Sequence, residues 1–242
     1  MYFEHVQHEF GEIHAVEKDG KRFYVTPDGE RYPSVTTVLG SNPLKKSAIA
    51  DWKKRVGQSK ANQITKEAAG QGTTMHLMLE WYLSNNFDYH NQKVLRDYLK
   101  EHHLEDYNDH SFRHGQDLFH QLRPLIDVNI GKIHGLEVPL WSDFLRLAGR
   151  CDCIAEWNGK LSIIDFKTSM KSKKRDWIDN YFMQATAYAC MFEDRVGIPV
   201  TQCVILIAQR TGHPQIFVEK RNDWLKPLMN EIDRYYLSNR ED

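Results

Sequence analysis

Alternating apolar and polar positions open the chain, and Glu12 to Val25 reads as a β-hairpin with Asp19-Gly20 at its turn. After Pro33-Ser34-Val35 the apolar spacing lengthens to that of helices, from about Lys46 to Ile130, with interruptions near Gly57, Gly70–Gly72 and Asn85-Asn86. The pattern then changes again. His134 to Leu140, Leu145 to Trp157 and Leu161 to Lys167 predict three strands. An apolar stripe (Ile178, Tyr181, Phe182, Ala185, Ala189, Phe192) predicts a helix over Trp177 to Val196. Val200 to Ala208 and Gln215 to Glu219 read as strands, and Asn222 to Leu237 as a closing helix. This order predicts an α/β core in the second half, preceded by a helical region that forms one wall of a cleft.

Composition narrows the function classes. The 242 residues are 41% hydrophobic and 27% charged, close to the globular average, and no apolar run approaches the roughly 20 residues that span a bilayer. The opening Met1-Tyr2-Phe3-Glu4 has no basic, apolar leader, so neither secretion nor organelle import is expected, and the expected location is cytoplasmic. Cys151, Cys153, Cys190 and Cys203 form no CxxC pair, so neither an iron–sulfur cluster nor a structural zinc is expected. The formal net charge of −1 is unevenly spread. Residues 1–30 carry seven acidic against three basic side chains, whereas residues 44–60 and 159–175 each carry six basic against one acidic. Two basic segments on a neutral chain suit an anionic partner such as nucleic acid, or an ordinary solvated surface.

The informative stretch runs from Gly149 to Thr168. Asn158-Gly159 is a two-residue type I′ hairpin turn, and the register it sets puts Asp152 opposite Asp165. Directly opposed residues share a face with Cβ atoms about 5 Å apart, so these carboxylates repel unless a divalent cation lies between them. The strand period places Asp165 and Lys167 on one face, one pleat apart, with Ser162, Ile164 and Phe166 on the other.

Asp152…Asp165-Phe166-Lys167 resembles the signature of the PD-(D/E)XK nuclease superfamily. Gly72-Thr73-Thr74-Met75-His76-Leu77-Met78-Leu79-Glu80 is similar to the GTxxHxxxE helix of its RecB-like exonuclease branch, and Gln184-Ala185-Thr186-Ala187-Tyr188 resembles that branch's Q-x-x-x-Y helix. Tyr32-Pro33-Ser34-Val35-Thr36-Thr37-Val38-Leu39, with the basic helix around Trp52, is most similar to the mitochondrial genome maintenance exonuclease group. The lack of a leader points to a phage or bacterial relative. Cys151 stands where the superfamily motif has proline, a variable position.

The resemblance implies a restriction-endonuclease-like fold: a mixed central sheet flanked by helices, with the N-terminal hairpin and helical wall attached. It implies one nuclease domain over 1–242, divided into hairpin (1–31), helical region (32–131) and catalytic core (132–242). It implies a Mg²⁺- or Mn²⁺-dependent deoxyribonuclease, an exonuclease preferring single-stranded DNA with free ends. A flap or junction endonuclease, or a catalytically silent nucleic-acid-binding module, stands as the alternative. Asp152, Asp165 and Lys167 are then catalytic, and His76, Asp152, Asp165 and the Phe166 carbonyl bind the metal. Glu80 orients His76 or sits at the cleft edge, and Glu137 is an outer carboxylate or a strand-end charge. Gln184 and Tyr188 contact the scissile phosphate, position Lys167, or simply flank the core stripe. Ser34 and Thr36 suit a phosphate or a plain helix cap. Lys53, Lys54, Arg55, Lys173 and Lys174 are candidates for backbone phosphates.

Overall fold

The computed structural model describes residues 2–103 and 107–239. Three short antiparallel strands, β1 (His14–Lys18), β2 (Lys21–Val25) and β3 (Arg31–Pro33), open the chain, so the expected hairpin gains a third strand. Helices follow as α1 (Val35–Gly40), α2 (Pro43–Val56), α3 (Gln58–Leu83), α4 (Gln92–His102) and α5 (Asp109–Asn129). The second half holds β4 (Ile130–Ser142), β5 (Leu147–Trp157), β6 (Lys160–Ser169), α6 (Asp179–Val196), β7 (Gln202–Gln209), β8 (Gln215–Lys220) and α7 (Arg221–Ser238).

The five core strands form a mixed sheet in the order β4-β5-β6-β7-β8, in which β6 and β7 are parallel and the other neighbours antiparallel. The parallel pair requires a crossover, and α6 supplies it. One face of the sheet packs on α1, α6 and α7 through Val38, Phe182, Phe192, Leu228 and Ile205. The other packs on α3 and α5 through Met75, Leu79, Phe112, Phe119, Ile164 and Leu206. No helix among the described residues is long and apolar enough to cross a membrane.

One sequence expectation is corrected here. Gly70–Gly72 do not interrupt the helical run, and α3 continues from Gln58 to Leu83. A glycine inside a helix costs only about 1 kcal/mol, and tertiary packing offsets it. Gly70 and Gln71 are buried where α3 meets α5. At that crossing a Cβ on Gly115 would lie 2.4 Å from Thr74 Cβ and 2.8 Å from the Gln71 carbonyl. The close approach fixes α3, which carries His76, against α5.

Candidate active site

The turn at Asn158-Gly159 has both residues at positive φ, 53° and 75°, and the ladder pairs have the register expected from it. The ladder stops at Cys153–Ile164, so Asp152 and Asp165 are not the directly paired residues that register arithmetic predicts. The strands part there because Asp152 turns its carboxylate inward, and Oδ2 accepts a hydrogen bond of 2.9 Å from the Phe166 N–H. The side-chain alternation breaks at the same place: Cys151 packs in one core layer and Cys153 in the other.

On the far side of β5, Leu136 and Val138 pair with Cys153 and Cys151, which sets Glu137 across from Asp152. Glu137 has φ +48°, a left-handed conformation that costs a side chain about 1–2 kcal/mol. The Arg150 guanidinium donates a 2.6 Å hydrogen bond to its carbonyl and holds the peptide in that orientation. The third member is His76 on α3. Its Nδ1 lies 3.8 Å from Glu137 Oε1 and 3.8 Å from Asp152 Oδ2, while Nε2 lies 3.0 Å from the Phe166 carbonyl. Phe166 thus engages Asp152 through its N–H and His76 through its C=O.

The ligand atoms of His76, Glu137 and Asp152 lie within 4.8 Å of one another. One imidazole and two carboxylates in this spacing fit a divalent cation, and the Nε2 contact to a backbone carbonyl is the usual orienting bond of a ligating histidine. Burial works to lower the His76 pKa, but Asp152 and Glu137 outweigh it and raise it to about 9. A histidine held above its ordinary value of about 6.5 stabilises the fold below that value, and the contribution disappears as pH rises through about 9. In EDTA the melting temperature is therefore expected to fall between pH 6.5 and 9, and His76→Asn should remove that part of the slope. An identical slope in the variant would detach His76 from the two carboxylates.

Asp165 stands beside this cluster and faces Lys167. It is 2% exposed, and Nζ of Lys167 lies 2.6 Å from both its oxygens, hydrogen-bonding to Oδ1. Burial pushes the Asp165 carboxyl up to about 6 against the opposing charge of Lys167. For Lys167 burial works downward, yet Asp165 and Asp152 hold the ammonium above its ordinary value. The lysine is therefore charged at neutral pH, and its Nζ lies 5.3 Å from the centre of the Tyr181 ring.

The remaining candidates fall into four groups. Glu80, one turn beyond His76, is partly buried, and burial and then Glu137 raise its pKa. Gln184 and Tyr188 lie under the strand: Tyr188 is 3% exposed, and a Cβ on Gly149 would come within 2.7 Å of its hydroxyl. Ser34 is the N-cap of α1, with Oγ accepting from the Thr37 N–H at 3.0 Å and contacting Thr36 Oγ1 at 3.0 Å. Among the basic residues, Lys53, Lys54 and Arg55 end α2, a helix without a buried side chain, and Lys45 near its start feels the charges of Glu231 and Lys167. The segment after β6 is pinned by Gln215, which bonds both the N–H and the carbonyl of Lys173, while Lys174 lies over the Trp177 ring at 5.4 Å. Arg150 and Tyr181 are the neighbours that sequence reasoning did not assign to the site. Tyr181 was hidden within an apolar stripe, and no sequence signal marks a guanidinium that will bind a backbone carbonyl.

A sequence model of the PD-(D/E)XK nuclease superfamily matches residues 49–234. The chain is 28% identical over 191 residues to mitochondrial genome maintenance exonuclease 1 of Homo sapiens, covering 75% of this chain and 50% of the human protein. It is 29% identical over 192 residues to the Mus musculus protein of the same name, covering 75% of this chain and 51% of that one. The chain thus spans about half the length of these curated relatives.

Proposed function

The chain belongs to the PD-(D/E)XK nuclease superfamily, and on that premise we propose that it is a divalent-metal-dependent exonuclease that hydrolyses single-stranded DNA from free ends. The observation that carries the reading is the convergence of His76, Glu137 and Asp152 beside a charged Lys167–Asp165 pair. A divalent cation held by His76, Glu137 and Asp152, with Asp165 alongside, would lower the pKa of a bound water and polarise the phosphoryl oxygens.

The protein's own groups do the rest. The Lys167 ammonium offsets charge that develops on the phosphoryl oxygens in the transition state, and Asp165 keeps it protonated and in place. Because the lysine is held charged, its role is electrostatic and not that of a free base. Phe166 fixes Asp152 and His76 relative to each other, and Arg150 keeps Glu137 turned toward them. Tyr188 acts from below, packing against Gly149 and so setting the height of β5. Lys45, Lys53, Lys54 and Arg55 on α2, with Lys173 and Lys174, attract the strand. In-line attack leaves a 5′-phosphate and a 3′-hydroxyl.

The test compares linear oligonucleotides, labelled at either end, with a covalently closed single-stranded circle, in Mg²⁺ and in EDTA. Degradation of the linear strand in Mg²⁺ alone, with the circle intact, is expected. Cutting of the circle at a similar rate would replace the exonuclease reading with an endonuclease, and no cleavage in Mg²⁺ or Mn²⁺ would leave a binding module.

A further inference from the structure

A cavity of about 570 Å³ lies between the N-terminal sheet, the turn from β4 to β5, and α7. Apart from Arg146, every residue lining it lies outside residues 49–234, the span shared with the family model. Its walls are cationic. Lys18 and Lys21 are direct partners across β1 and β2, an opposition of like charges that destabilises a hairpin. Arg31 and Arg146 line the same space, with Asp19 in the turn as the acidic residue of the wall. Among the described residues none of these four cations has a carboxylate within ion-pair distance. Lys21 donates instead to Asn239 Oδ1 at 3.1 Å, and the Arg146 guanidinium lies 4.4 Å from the centre of the Tyr236 ring.

Phe23 and Tyr236, both partly exposed, line the cavity as well, together with Pro33 and the buried Tyr235. Cations without carboxylate partners beside partly exposed aromatic rings are the composition of a single-strand nucleic-acid site. Position adds to this. Arg146 immediately precedes β5, six residues before Asp152, which at about 3.3 Å per residue is a separation of about 20 Å.

We propose that this cavity is an anchoring site for single-stranded nucleic acid, gripping phosphodiesters through Lys18, Lys21, Arg31 and Arg146 at a distance from the cleavage site. The choice of a nucleic-acid strand rests on the nuclease reading above; the basic and aromatic wall stands independently of it. An anchor of this kind raises affinity for long strands through effective concentration and leaves the chemistry of short ones unchanged.

The test measures binding in EDTA, so that it does not depend on turnover. For a strand of about 30 nucleotides, Lys18→Ala/Lys21→Ala/Arg146→Ala should weaken affinity at least about tenfold and flatten the salt slope by about 2, at about 0.7 per lost phosphate contact. Lys18→Arg/Lys21→Arg/Arg146→Lys should stay within about twofold of wild type, which separates lost charge from lost fold. In Mg²⁺, kcat/KM on a trinucleotide, too short to bridge the two sites, should be the same in all three proteins. Unchanged long-strand affinity and salt slope in the alanine variant would overturn the proposal. So would loss of deoxyadenosine monophosphate binding with strand affinity intact, which would make the ligand a free nucleotide. A wild-type protein that binds the long strand through this cavity but cleaves nothing would overturn the nuclease reading and leave the anchor standing.

Discussion

Asp152→Asn is expected to lower the single-turnover cleavage rate in Mg²⁺ by about 10⁴-fold or more while long-strand affinity stays within a few-fold of wild type. The substitution separates two functions of one side chain. An asparagine carbonyl oxygen can still accept from the Phe166 N–H, which Asp152 Oδ2 now does at 2.9 Å, so the local fold survives. The negative charge does not survive, and it is the charge that sits 3.8 Å from His76 Nδ1 within the cluster completed by Glu137. Removing it also removes the largest force holding the His76 pKa up, so the variant's histidine should titrate below about 9. Rate is read by quenched flow, affinity by fluorescence anisotropy in Ca²⁺, and the histidine by NMR. Retention of more than a few per cent of the wild-type rate would remove Asp152 from the metal site.

Lys167→Ala should cost about 10²–10⁴ in rate, the range for one preorganised electrostatic group. It should also change the pH profile. Burial already pushes the Asp165 carboxyl up to about 6, with Lys167 as the strongest opposing influence. Without the ammonium the carboxyl moves higher, so the ionised form is reached only at higher pH. Residual activity of the alanine variant should therefore climb with pH across the range where wild type is flat. Lys167→Arg should rescue poorly, because the guanidinium is a planar fork and the present Nζ site is bounded by Asp165 and the Tyr181 ring. An arginine variant close to wild type would show that charge alone suffices there. An alanine variant within tenfold of wild type would end the catalytic assignment of Lys167.

The sheet was legible because its signals are local. The Asn158-Gly159 turn sets the β5–β6 register, and the apolar stripe of α6 marks the crossover between the parallel strands. What sequence could not supply were departures from regular geometry. Period-two arithmetic carried Asp152 and Asp165 into a ladder that ends one residue short, because a carboxylate bonds to the Phe166 N–H there. Glu137 is hard to place from sequence for a related reason: its carboxylate joins the cluster from a backbone at φ +48° whose carbonyl accepts from Arg150. At Gly70–Gly72 the local breaker signal lost to packing between α3 and α5. Tyr188 shows the converse, since a motif position beside the site proves to be a core residue fitted against Gly149.

Phe166 offers a way to watch this site without measuring turnover. Its own amide proton points at the Asp152 carboxylate, and its carbonyl, which shares a peptide plane with the Lys167 nitrogen, points at His76. Two consecutive amide resonances, those of Phe166 and Lys167, therefore sense two different side chains of one cluster. Selective ¹⁵N labelling of phenylalanine and lysine isolates them from the crowded spectrum of the sheet. A titrant that engages the whole cluster shifts both cross-peaks along a common saturation curve. One that touches only the histidine moves the Lys167 peak and leaves the Phe166 peak in place, so the direction of travel across the spectrum distinguishes which side chain has been met first.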